Sequence, residues 1–299
     1  MLNEIIATIP KFETFDFWFV KNNPACFDVY SIADKSYVGG ITPNGSFVAN
    51  GPIDEASAAQ SQIQAAVELN FNNFQLRPEW YVSEYRIPKN STIEDLRIAY
   101  MMTMMGVALL RARKGGIVDV DEQMPKLEKL FTWLEGAGFY TGPSSTQYHH
   151  AFVGGNLYHH MDTMDHIKDL WHGMRIFNKR VRIEDAVLVA SVHDYCKIDA
   201  YESYTKKMPN PQTGNWEPTT SYKYKDNLMP LGHGVSSMFL AGKFFRLTNA
   251  EALAIRWHMG AYRCVESETH EMYQAVEKHP LVLMLQFADQ LSTTNYPEV

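Results

Sequence analysis

From Leu157 to Leu291 almost every apolar helical run carries a histidine or an aspartate within it or at its end: His159 in GGNLYHH, His193-Asp194 closing AVLVASVHD, His233 in PLGHG, His258 in IRWHMG and Asp289 in LQFADQL. All 11 histidines fall between His149 and His279. A polar group buried without a partner costs roughly 2–7 kcal/mol, so a fold that buries these runs must bring their polar residues together. One histidine on a helix is ordinarily a hydrogen-bonding side chain, and one aspartate near a helix end is ordinarily a cap. The set of six, spread over several apolar runs, is explained most economically by a shared cation.

Composition removes several other classes. The chain has 299 residues, enough for one large domain or two ordinary ones, with 45% hydrophobic and 20% charged residues. A net charge of -7 leaves no excess of Lys and Arg for general phosphate neutralisation, which weighs against nucleic-acid binding without excluding a local basic groove. Cys26, Cys196 and Cys264 are too scattered for a disulfide framework or a zinc ribbon and suit a reducing cytoplasm. MLNEIIATIPKFETF has no basic stretch followed by a long apolar core, and no uncharged apolar run approaches the ~18 residues that span a membrane. A soluble cytoplasmic protein is expected.

Taken in order, FDFWFV, FDVYSIA, SYVGGI and GSFVANG read as short strands, with Pro43-Asn44-Gly45 as a hairpin turn and a helix from Asp54. These make a small α+β unit that carries no chemical motif. Ser91 and Glu94 have capping-box spacing and open a long Met-rich helix, IEDLRIAYMMTMMGVALLRAR, whose methionines read as core filler. Gly115-Gly116 is the boundary candidate, giving an N-terminal region 1–118 that ends in the long helix and a second domain 119–299. A helix starts near Pro125. Others are expected from about Asn156 to His172 and from about Arg182 to Asp194. AVLVASV alone fits a buried strand, but the capped start and the spacing Ile183, Val187, Ala190, Asp194 favour a helix buried nearly all round. YESYTKK and WEPTTSYKYK around PNPQTGN read as a β-hairpin inserted just after the His-Asp pair. Helices resume at His233, after Thr248 (a capping box with Glu251) and at Pro280. The fold class is mainly α, an all-helical domain with an inserted β-hairpin, preceded by a small α+β region.

The ordered series His, His-Asp, His, His, Asp resembles the HD superfamily of metal-dependent phosphohydrolases. STQYHHAFVGGNLYHH is similar to a Gly-Gly segment followed by a ligand histidine in bacterial and phage HD proteins, and HDYCK to the His-Asp-x-x-Lys signature. Cys196 stands where many of those proteins have Gly and resembles one bacterial and phage subgroup, as do PLGHGVSSM, LTNAEALAIRWHMG and ADQL. The resemblance covers about 120–299. Related 3'-to-5' exoribonucleases share the two main elements but usually carry an OB-type N-terminal domain, which residues 1–118 do not resemble.

The resemblance implies that His159, His193, Asp194 and Asp289 hold a first divalent metal. His233 and His258 would complete a second site, with Asp194 bridging as a catalytic residue. Two such cations can activate a water and stabilise the leaving oxygen of a phosphoester. The mixed donor set suits one or two ions of Mn or Fe, with Co, Ni, Zn or Mg as alternatives. Lys197, one turn beyond His193, is expected at the same pocket as a catalytic and phosphate-binding group. Arg256 reads equally as a phosphate contact or a surface pair. His149 and His150 approach the substrate or shape the loop. Tyr201 and Lys223, in the Tyr- and Lys-rich hairpin, are candidate substrate contacts within a lid; an ordinary amphipathic hairpin is an equal reading. His160 is expected to be hydrogen-bonded, and His166, His172, His270 and His279 to be exposed or capping. Cys196 is expected to pack.

The leading expectation is hydrolysis of a small phosphorylated substrate, foremost a nucleotide, in a bacterial or phage-infected cytoplasm. A 3'-to-5' exonuclease on single-stranded RNA or DNA is a second reading, and a nucleotide-sensing protein without turnover a third. A di-iron oxygenase has no positive support.

Overall fold

The structure, a computed structural model, describes residues 17–23, 26–31, 37–41, 47–49, 78–113, 120–210 and 212–294. The chain divides into two compact units, Met1–Trp80 and Tyr81–Val299. This division lies well before residue 118. The reason is packing: the long helix that ends the N-terminal region in the sequence reading belongs to the second unit.

In the first unit, β1 (Phe17–Asn23), β2 (Cys26–Ser31), β3 (Tyr37–Ile41) and β4 (Phe47–Ala49) form one antiparallel sheet in chain order. Gly39 pairs with Ala49 and Ile41 with Phe47, so the expected hairpin is present, while its turn and the helix expected from Asp54 lie outside the described residues.

The second unit is helical. After the short α1 (Pro78–Ser83), within which the division falls, come α2 (Ile93–Arg113), α3 (Val120–Gly136), α4 (Gly155–Gly173), α5 (Arg175–Arg180) and α6 (Ile183–Val192). Beyond the hairpin lie α7 (His233–Ala241), α8 (Asn249–Trp257), α9 (Thr269–Lys278) and α10 (Pro280–Thr294). Two starts differ from the sequence reading. At α2 the reciprocal cap is made one residue later than Ser91-Glu94: the Thr92 N–H donates to Asp95 Oδ2 (2.8 Å) and the Asp95 N–H to Thr92 Oγ1 (3.2 Å), while Ser91 bonds back to the Pro88 carbonyl. Helix α3 begins five residues before Pro125, whose missing N–H leaves the carbonyl one turn earlier without its intrahelical donor. The Thr248-Glu251 box forms as read.

Helix α6 is the hub. Ala186, Val187, Leu188, Val189, Ala190 and Val192 have no exposed surface, and the helix packs against α2, α4, α8 and α10. Full burial of such a valine or leucine contributes about 1.5–3 kcal/mol. Tyr100 of α2 fixes the end of this hub: its hydroxyl donates to the Ser191 carbonyl (2.9 Å) and lies 2.7 Å from the Tyr195 hydroxyl, all buried. Arg111, fully buried, ties α2 to Glu251 of α8 and Asp185 of α6. The hairpin expected after the His-Asp pair is β5 (Tyr201–Pro209) antiparallel to β6 (Trp216–Tyr224), paired from Tyr201 with Tyr224 to Pro209 with Trp216. No helix among the described residues is long and apolar enough to cross a membrane.

Candidate metal centre

Helix α6 delivers its polar cargo by ending. His193 keeps helical angles, but Asp194 leaves them (φ -109°, ψ 25°) and a 3-10 turn, Tyr195–Lys197, follows. The break lets two consecutive side chains face the same buried space. Helix α4 delivers His159 through the Gly-Gly turn. Gly154 is left-handed (φ 83°), and a Cβ on Gly155 would sit 1.9 Å from the His150 carbonyl oxygen, so the close approach requires glycine. Gly234 plays the same part between α7 and α8: a Cβ there would lie 2.2 Å from the Arg256 carbonyl oxygen. This approach brings the rings of His233 and His258 within 5.0 Å, centroid to centroid.

The side chains then converge. His159 Nε2 lies 3.2 Å from His193 Nε2, 3.3 Å from Asp194 Oδ2 and 3.2 Å from Asp289 Oδ1. His193 Nε2 is 3.5 Å from the same two oxygens. The other oxygen of Asp194, Oδ1, is 2.6 Å from His233 Nε2 and 3.3 Å from His258 Nε2. Lys197 Nζ sits 2.5 Å from Asp194 Oδ2 and donates to Ser144 Oγ at 3.2 Å.

Outer partners fix the tautomers. Nδ1 of His193 faces the Ala190 carbonyl and Nδ1 of His258 the Ile255 carbonyl, both at 2.8 Å. A carbonyl only accepts, so each Nδ1 carries the proton, and in the neutral ring Nε2 presents a lone pair. Ser292 Oγ donates to the Asp289 carbonyl (2.9 Å) and accepts from His159 Nδ1 (3.0 Å). Three imidazole lone pairs therefore point at two carboxylates. Acceptors in direct contact repel, and only protons or a cation at the centre turn the arrangement into an attractive one. Asp194 Oδ1 and His258 Nε2 are buried and have no well-formed hydrogen bond. The residues present thus fit a divalent cation: His159, His193 and Asp194 offer ligand atoms that all lie within 4.8 Å of one another, with Asp289 beside them.

The electrostatics agree. Burial pushes the Asp194 carboxyl up, but Lys197, His233 and His193 more than reverse it and leave it well below the usual carboxylate range. Asp289 is likewise raised by burial and brought well below that range by contact with the imidazoles of His159 and His193. Burial opposes the charge on His258, yet contact with Asp194 leaves that imidazole raised, while burial leaves His233 lowered. His149 is pushed down to about 4 and His150 to about 3, in both cases chiefly by burial.

All six expected ligands and Lys197 are therefore in one place, within the second unit. His150 is buried, its ring centroid 5.4 Å from that of His159, in a left-handed conformation (φ 52°). Tyr201 donates its hydroxyl to the Ser144 carbonyl at 3.0 Å and packs on Tyr224. Two candidates are engaged elsewhere. Arg256 pairs with Glu268 at 2.7 Å and lies over the Trp257 ring; Lys223 is exposed and pairs with Glu202 at 2.7 Å. His160 is buried with Nδ1 on the Asn156 carbonyl, as its hydrogen-bonded reading required. Sequence reasoning missed Ser292 and Cys196. Ser292 lies three residues after Asp289, a spacing that could have flagged it. Cys196 Sγ lies 3.0 Å from His233 Nδ1, in contact with the cluster rather than merely packed.

Comparisons with protein-family models, with curated proteins and with solved structures gave no match.

Proposed function

We propose that this protein is a metal-dependent phosphohydrolase of the HD superfamily, acting on a phosphoester of a nucleotide or related small molecule. One observation carries the reading. Four imidazoles and two carboxylates, delivered in the order His, His-Asp, His, His, Asp, meet in a buried cluster beside a lysine. His159, His193, Asp194 and Asp289 hold the first ion in this reading, with His233 and His258 on the other oxygen of Asp194. When bound, a divalent cation such as Mn or Fe supplies Lewis-acid activation of water and neutralisation of phosphate charge.

The protein's own groups do the rest. Asp194 stays ionised because Lys197 and the surrounding imidazoles hold its carboxyl low, so each oxygen can serve a different neighbour. Lys197 keeps its proton, since Asp194 outweighs the effect of burial, and presents a partly buried ammonium to a phosphate oxygen arriving at the cluster. Ser144 orients that ammonium through its hydroxyl, and Tyr201 anchors the Ser144 carbonyl, which links the hairpin base to the pocket wall. Lowered His149 and His150 remain neutral near pH 7, adding no charge that would compete for the cation.

The test is purified protein, loaded separately with Mn, Fe, Co, Ni or Mg and offered a phosphodiester reporter, a nucleotide panel and labelled oligonucleotides. Turnover of mononucleotides, lost in His193→Ala and Asp194→Ala, is expected. Full rate and full metal content in both variants would remove the assignment; product from oligomers alone would move the reading to an exonuclease.

A further inference from the structure

Asp194 has two oxygens, and they face different neighbours. Oδ2 belongs to the His159-His193 side, whereas Oδ1 faces His233 and His258. The residue whose donor atom joins those of Asp194 and His233 is Cys196: the three ligand atoms lie within 4.8 Å of one another, a second group that shares only Asp194 with the first. The fold holds the thiol there. The Cys196 N–H donates to Ser237 Oγ at 3.1 Å, which pins the 3-10 turn after Asp194 onto α7, the helix that His233 opens. Sγ is then 3.0 Å from Nδ1 and 3.9 Å from Nε2 of the His233 ring. A second observation points to a ligand at this place. Asp194 Oδ1 and His258 Nε2, each about 1% exposed by residue, face each other at 3.3 Å without a well-formed hydrogen bond.

We propose that Cys196 supplies a thiolate to a second cation held with His233 and Asp194, so that the two metal positions are chemically unequal. The inference rests on the metal-centre reading above but not on turnover. One position offers imidazole and carboxylate alone, whereas the other adds a soft sulfur donor, which favours Fe, Co or Zn over Mg or Mn. On loading, the thiol proton leaves to solvent and the sulfur takes a place in the coordination shell.

The test reads the metal, not the reaction. Apo wild-type protein is titrated anaerobically with Co(II), and a zinc-loaded sample is examined by X-ray absorption. A sulfur-to-cobalt charge-transfer band that grows with the second equivalent is expected, as is a sulfur shell at about 2.3 Å beside nitrogen and oxygen at about 2.0–2.1 Å. Cys196→Ser should lose the band and the shell and weaken the second equivalent by about tenfold or more, with the first equivalent retained. Two bound ions with no sulfur shell, or binding that stops at one equivalent, would overturn the proposal; the wild-type spectra decide this even where the variant fails to fold. A sulfur signal without hydrolysis would leave this site standing and remove the phosphohydrolase reading. Hydrolysis without a sulfur signal would do the reverse.

Discussion

Ser292→Ala is the sharpest perturbation of the proposed centre that leaves every ligand in place. The outer partners of His193 and His258 are backbone carbonyls and cannot be mutated away, but that of His159 is the Ser292 hydroxyl, 3.0 Å from Nδ1. Ser292 has no exposed surface, and its hydroxyl also donates to the Asp289 carbonyl and lies 3.1 Å from Thr163 Oγ1. Removing one oxygen opens almost no volume, so packing changes little. What is lost is the acceptor that keeps the His159 proton on Nδ1 and its lone pair on Nε2. A buried donor left without its partner costs about 1–3 kcal/mol, and loss of such an outer partner weakens metal binding by roughly 10–100-fold, which at about 1.4 kcal/mol per tenfold is the same range. The assay is competition against a chromophoric chelator at fixed pH, with apo stability followed separately by denaturant unfolding. If Ser292→Ala binds metal as tightly as wild type, His159 is not a ligand through Nε2 and the tautomer argument fails.

Lys197→Met should retain metal and lose turnover, with the drop in kcat exceeding the rise in KM; an unchanged rate removes lysine from the mechanism. Tyr100→Phe strips the buried Tyr195 hydroxyl and the Ser191 carbonyl of a partner and should cost about 1–3 kcal/mol by urea unfolding. In the apo protein, His149 and His150 are held to about 4 and about 3. The unfolded chain therefore binds more protons than the native one as pH falls from about 6.5. Stability should decline on acidification through that window, well before the lowered carboxylates titrate. His150→Asn, which tolerates the left-handed backbone, should flatten the decline in a plot of Tm against pH.

Much of this was legible in the sequence because helical periodicity and capping are local. The positions of α4 and α6, the hairpin and the Thr248-Glu251 box all follow from neighbours within a turn or two. The convergence of the six His and Asp residues was legible for a different reason: buried His and Asp are costly enough that six of them in apolar runs imply one another. Choices between equivalent local chemistries were not readable. Ser91-Glu94 and Thr92-Asp95 offer nearly the same cap, and the chain takes the second. Whether α2 closes one unit or opens the next depends on Tyr100 and Arg111 finding partners 74–140 residues away. The same limit hid Cys196, whose surroundings are set by the docking of its turn on α7.

The most direct test of the central claim is diffraction from crystals grown with Mn or Fe, with data collected at the absorption edge of the metal. The account predicts an anomalous peak bounded by His159, His193, Asp194 and Asp289, with those donors spread apart from their direct contacts of 3.2–3.5 Å. Ordered metal elsewhere on the chain, with these four side chains still in direct contact, would contradict it.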